Sequence, residues 1–101
     1  MYKPLPESVT IKQSGVHGLG LFAEQAIKVG TNLGMSHIKL NGNIVRTPLG
    51  GFINHANEGN CVKVELFMTN GNHDYKKWNL ITLKNLKKGE ELTVRYTLYN
   101  I

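Results

Sequence analysis

Apolar and polar residues alternate most clearly between Cys61 and Thr69, where Val62, Val64, Leu66 and Met68 are separated by Lys63, Glu65 and Phe67. A period of two predicts a β-strand. Asn70-Gly71 follows, a pair suited to a tight hairpin turn, and Trp78 to Leu83 is the predicted return strand. The same reading gives a strand at Val9 to Lys12, a glycine-dense turn from Gln13 to Gly20, and a short buried strand at Leu21-Phe22-Ala23. Ala26 to Gly30 predicts a turn with an apolar plug, leading into a strand through Leu33. Ile38, Leu40, Ile44 and Val45 predict a second hairpin around Asn41-Gly42. Asn85 to Glu91 turns again, and Leu92 to Leu98 is the last predicted strand. No stretch carries the full apolar stripe of a helix. Residues 1–8 are expected as an irregular arm, because Pro4 and Pro6 oppose helix and ladder alike. Residues 9–101 are expected as one small, mostly β domain.

The pattern repeats. Ala26-Ile27-Lys28-Val29-Gly30-Thr31-Asn32-Leu33 lines up with Asn85-Leu86-Lys87-Lys88-Gly89-Glu90-Glu91-Leu92, and each follows a short apolar strand, Leu21-Phe22-Ala23 or Leu80-Ile81-Thr82. One unit of strand, plugged turn, glycine and strand is used twice. Between the copies, the apolar Phe52-Ile53 runs into Asn54-His55 and then a polar stretch, Ala56-Asn57-Glu58-Gly59-Asn60-Cys61. Asn and Gly favour turns, so this segment is expected to leave the core as a loop carrying an imidazole.

Composition narrows the picture. At 101 residues and 41% hydrophobic content the chain suits one core. No apolar run is long enough to span a bilayer, and the N-terminal residues have no apolar signal region, so an intracellular setting is expected. The single Cys61 excludes an internal disulfide and an all-cysteine zinc site. Net charge is +5, but the 12 Lys+Arg are scattered rather than gathered into a basic tract.

Three stretches carry the candidate chemistry in order: Gly18-Leu19-Gly20-Leu21-Phe22-Ala23, Phe52-Ile53-Asn54-His55, and Gly89-Glu90-Glu91-Leu92-Thr93-Val94-Arg95-Tyr96. Together they resemble the SET-domain family of protein lysine methyltransferases over roughly residues 9–98. That family includes small, stripped-down members, viral ones among them. The resemblance implies a β-clip fold of small sheets, with the last strand region threading beside the Asn-His loop in a knot-like arrangement. It implies S-adenosylmethionine as methyl donor and a lysine of a protein or peptide as acceptor, in cytoplasm or, for a chromatin substrate, nucleus. By position, Gly18, Leu19 and Gly20 would offer backbone groups to the cofactor's methionine end. Asn54 and His55 would hold its amino group and flank the adenine, and Tyr96 matches the family's tyrosine at the methyl-transfer point. The chain departs from the family where Ala56, Asn57 and Gly59 replace Ser, Cys and Pro, and where Met35-Ser36 stands in place of Glu-Tyr. The insert between the halves is only about residues 37–50.

Other residues carry weaker expectations. Tyr99 is a candidate wall of a lysine channel. His17, His37 and His73 read as ordinary satisfied histidines, Trp78 as core, and Glu90 and Glu91 as a solvated pair in a lysine-bearing turn. No histidine pattern with Cys61 suggests a metal site. Two other readings stay open: a SET-like module that binds without catalysing, and a small basic β-module whose Tyr75-Lys76-Lys77-Trp78 meets nucleic acid. A core this small, without flanking domains, leaves apolar surface that a homo-oligomer would cover.

Overall fold

The computed structural model describes residues 5–15, 18–71 and 73–95. In chain order they form β1 (Val9–Gln13), β2 (Leu19–Ala23), β3 (Asn32–Leu40), β4 (Asn43–Arg46), α1 (Pro48–Gly51), β5 (Asn54–Ala56), β6 (Cys61–Asn70), β7 (His73–Thr82) and β8 (Glu91–Arg95). The strands connect in the order β1-β2-β8-β6-β7-β3-β4, with β5 added to β8. The architecture is mostly β, as expected. The expected small sheets are joined into one ladder because β8 pairs on both sides. Leu21 and Phe22 of β2 face Leu92 and Glu91, while Cys61 of β6 faces Val94.

Local chemistry explains the turns. The β3–β4 hairpin closes on Asn41 (φ 49) and Gly42 (φ 80), and two successive positive φ values are what a type I′ turn requires. The β6–β7 ladder runs unbroken from Cys61↔Thr82 to Asn70↔His73, and Gly71 (φ 64) begins its turn. Both long strands exceed their expected bounds. β3 continues to Leu40 through irregular register near Gly34 and Ser36, and β7 begins at His73 instead of Trp78. The weakly patterned stretch before Gly50 holds one helical turn, started by Pro48 in the first-turn position where its missing N–H costs nothing.

The repeat seen in the sequence is a symmetric pair in space. Ile27 and Leu86, the two plugs, exchange both backbone hydrogen bonds at 2.9 and 2.7 Å. Gly30 N–H donates to Thr82 C=O, and Gly89 N–H donates to Ala23 C=O, each at 2.8 Å. Ala23 N–H donates to Glu90 C=O and Thr82 N–H to Thr31 C=O, at 2.8 and 3.0 Å. Every bond has its counterpart at an offset of 59 residues. The pair forms the centre of the core, where Leu21, Leu80, Leu92, Val94 and Cys61 have no exposed surface. Burying side chains of this size stabilises by roughly 1.5–3 kcal/mol each.

The alternation in β6 is present, but the covered side is the other one. Cys61 and Lys63 are buried on the face shared with Leu80. Val62, Leu66 and Met68 are half-buried, and Val64 is 39% exposed on a face that also carries Ile38 and the exposed Val45. Period-two patterning assigns residues to a common face; which face meets the core depends on what packs above it.

Candidate functional site

β8 organises the site because three elements grip it. β5 runs parallel to it, with Asn54, His55 and Ala56 opposite Thr93, Val94 and Arg95. The stretch expected as a loop therefore begins as a short strand. The turn after β5 is fastened to the same strand. The Asn60 amide acts as a surrogate peptide, Nδ2 donating to Glu91 C=O and Oδ1 accepting from Thr93 N–H, both at 2.9 Å. Arg95 Nε donates to Gly59 C=O at 3.1 Å. Gly59 lies so close to β8 that a Cβ would sit 2.6 Å from Arg95 N and Val94 C, so only glycine fits there.

Asn54 joins the stretches that the sequence sets far apart. Its Nδ2 donates to Leu19 C=O at 3.3 Å and to Glu91 Oε2 at 2.8 Å. The carboxylate is held from its other side by Ser14 Oγ, which donates to Oε1 at 2.9 Å. Gly18-Leu19-Gly20, Asn54-His55 and the start of β8 thus form one surface, with Leu19 half exposed on it. The two glycines serve different ends. Gly18 has φ +53 and open space around its Cα, whereas a Cβ on Gly20 would meet Glu91 Oε2 at 2.5 Å and Asn54 Nδ2 at 3.1 Å.

Glu91 corrects an expectation. Glu90 is exposed as expected, accepting from Lys87 N–H at 3.0 Å, but Glu91 is half-buried and bonded across the chain to Ser14 and Asn54. The available signal was phase: Glu91, Thr93 and Arg95 alternate with the buried Leu92 and Val94, so they share the face turned toward the Asn-His segment.

A buried cluster that the sequence does not signal brings Lys63, Arg46 and His55 near His37. Lys63 is 7% exposed, and burial lowers its amine below the usual lysine range. His37 is buried beneath α1, where a Cβ on Gly50 would meet its ring at 2.7 Å. Its Nδ1 lies 3.0 Å from Ser36 Oγ, and that hydroxyl in turn donates to Trp78 C=O. Burial, then the charges of Lys63 and Arg46 and the neighbouring His55, push His37 down to about 4, so it is neutral near pH 7. His55 is exposed, yet burial of its ring and then the Lys63 cation lower it as well. Burial pushes the Cys61 thiol up to about 12, which makes it a core residue and not a nucleophile. Among the described residues, no His, Cys, Asp and Glu cluster has the makings of a metal site. Trp78 is buried edge-on against His37, and Lys76 pairs with Glu65 at 3.4 Å, so the Tyr75-Lys76-Lys77-Trp78 stretch does not present the stacking tryptophan of a nucleic-acid platform. Tyr96 and Tyr99 lie outside the described residues, as does the threading expected of the C-terminal segment.

The SET-domain family model matches residues 35–97. The chain belongs to the SET-domain family. The match takes in Asn54-His55 and Tyr96 and begins after Gly18-Leu19-Gly20, which the structure brings to the same surface. Solved SET-like structures extend the likeness to nearly the whole chain. A candidate histone methyltransferase of Plasmodium falciparum superposes with a TM-score of 0.73 at 15% identity, covering 93% of this chain and 96% of that one. The apo ctPRC2 assembly with a substituted Ezh2 superposes at 0.59 and 22% identity, covering 87% of this chain and 15% of that one. These likenesses show a shared SET fold. No curated protein matches the chain.

Proposed function

We propose that this SET-domain protein is an S-adenosylmethionine-dependent methyltransferase acting on a protein lysine. The observation that carries the reading is the Asn54 bridge, which joins Leu19 and Glu91 and so makes one surface of the three stretches. The residues present fit the amino-acid end of the cofactor. Gly18 leaves open space, the Asn54 amide is held in one orientation by its N–H bonds to Leu19 and Glu91, and the His55 ring is exposed beside it. When bound, S-adenosylmethionine supplies a methyl group on a sulfonium centre.

The chain's own task is to align a lysine amine and keep it neutral, because only the lone pair attacks. Alignment of two reactants supplies roughly 7–11 kcal/mol in favourable cases. The cationic field of Lys63, which helps keep the His55 imidazole neutral, lowers the basicity of an amine brought beside it. Tyr96, one residue past the end of β8, is assigned to orient that amine by its place in the family motif. The amine's proton passes to water, since the described residues offer no dedicated base.

Calorimetric titration with S-adenosylmethionine, paired with transfer to lysine peptides, tests the reading. Asn54→Ala is expected to weaken cofactor binding at least tenfold while the protein stays folded. Tyr96→Phe is expected to keep affinity within a few-fold and to lower turnover by roughly 10- to 1000-fold, a loss of about 1.4–4 kcal/mol in the transition state. A wild-type chain that binds no cofactor sinks the proposal. Binding without transfer to any peptide points to a SET-like module that no longer catalyses.

A further inference from the structure

The carboxylate of Glu91 sits where the assigned chemistry gives it no part. The family motif gives it no role, yet three features are built around it. Asn54 donates to Oε2 at 2.8 Å, Ser14 donates to Oε1 at 2.9 Å, and Gly20 lacks the Cβ that would collide with Oε2. An asparagine amide has two nearly isosteric orientations, and its hydrogen-bond partners decide between them. Both acceptors against Asn54, the Leu19 carbonyl and the Glu91 carboxylate, accept only, so each requires an N–H. With both N–H groups turned to these partners, Oδ1 is the end of the amide turned away from Glu91. The Glu91 carboxylate, bonded to the other end of the amide, adds its negative charge to the same surface.

We propose that Glu91 is a positioning residue. It fixes the Asn54 amide with Oδ1 toward the ligand, and so makes this surface select the α-ammonium of the cofactor's amino-acid end. The proposal rests on the cofactor reading above. It predicts a specific failure. Gln at position 91 keeps the size and the packing, but its own NH2 can face Asn54 and turn the amide round, presenting N–H groups where an ammonium needs an acceptor.

The test compares two ligands on one protein. S-adenosylhomocysteine carries the amino-acid end, and 5′-methylthioadenosine carries the nucleoside without it. In calorimetry, Glu91→Gln is expected to lose about 10- to 30-fold in affinity for S-adenosylhomocysteine and to bind methylthioadenosine within twofold of wild type. Equal losses for both ligands would mean that Glu91 merely supports the fold, and unchanged affinity for both would mean that it does not orient Asn54; either result overturns the proposal. Wild-type protein that binds neither ligand overturns the cofactor reading itself, which is a different result. Should Glu91→Gln fail to fold, Ser14→Ala loosens the carboxylate from its far side. It is expected to show the same ligand dependence at roughly threefold, and equal behaviour toward both ligands would again overturn the proposal.

Discussion

The two copies of the repeated unit have the same backbone and different duties. Leu21 and Leu80, Ile27 and Leu86, Gly30 and Gly89, and Leu33 and Leu92 occupy equivalent places, and the backbone bonds that join the two turns occur in symmetric pairs. Two of the positions that differ show how the copies part. Ala23 is matched by Thr82, whose hydroxyl donates to Lys28 C=O at 2.7 Å and accepts from Thr31 N–H at 2.9 Å. Asn32 is matched by Glu91: the former makes a local turn by accepting from Gly34 N–H, whereas the latter reaches Asn54, 37 residues away in sequence. The shared positions hold the fold together; Glu91, at a position that differs, belongs to the candidate site.

If that division is right, the shared leucines are equally costly to lose. Leu21→Ala and Leu80→Ala each remove a side chain with no exposed surface and leave a cavity, so each is expected to destabilise by roughly 2–5 kcal/mol in denaturant unfolding. A cost below about 1 kcal/mol at one of them, beside a full cost at the other, would break the equivalence of the copies.

The strands leaving the two copies differ in what they bury, and pH separates them. β3 shifts register near Ser36 and buries His37 against Trp78, facing Lys63, Arg46 and His55. Its pKa of about 4 lies below the ordinary 6.5, so the unfolded chain binds the extra proton between those values. Stability contributed by neutral His37 is therefore complete above pH 6.5 and is lost as pH falls toward 4. The loss amounts to at most about 3 kcal/mol. Unfolding measured from pH 7 to 4 is expected to show this slope, and His37→Asn to flatten it. An unchanged slope in the variant would assign acid sensitivity to other groups.

The glycines test the turns. Gly30 has φ 81 and Gly89 has φ 93, with nothing within 4 Å of an added Cβ at either. Space is therefore not the constraint, and backbone strain alone sets the cost. Alanine at either position is expected to destabilise by roughly 1–2 kcal/mol, alike in the two copies to within about 0.5 kcal/mol. A large difference would mean that one turn relaxes and that its bond to the other copy, Gly30 to Thr82 or Gly89 to Ala23, is expendable.

Much of this was legible in the chain because local chemistry dictated it. Asn41-Gly42 marked a type I′ hairpin, the spacing of plugs and glycines marked the repeat, and the Gly18-Leu19-Gly20 and Asn54-His55 stretches marked a surface that the fold does assemble. What escaped depends on contacts distant in sequence. Nothing local says that Glu91 meets Ser14, 77 residues away, while its neighbour Glu90 stays in solvent. Nor does the alternation of β6 say that the side bearing Lys63, and not the side bearing Val64, is the covered one. Short-range pattern fixes which residues travel together, and only the stacking of distant elements decides what they meet.

The smallest expected effect is the sharpest test of the comparison. Asn32 stands at the place in the first copy that Glu91 holds in the second. Its side chain is exposed and bonds only within its own turn, to Gly34 N–H at 2.9 Å. Removing an exposed local bond of this kind costs little, because water replaces the acceptor, so Asn32→Ala is expected to destabilise by no more than about 0.5 kcal/mol. Binding of S-adenosylhomocysteine is expected to stay within twofold of wild type, since nothing links Asn32 to Asn54. At the matching position, Glu91→Gln should spare methylthioadenosine and weaken only the ligand with the amino-acid end. Were Asn32→Ala to weaken that ligand as much as Glu91→Gln, the two copies would be acting as one mechanical unit, and the split between shared scaffold and divergent site would have to be abandoned.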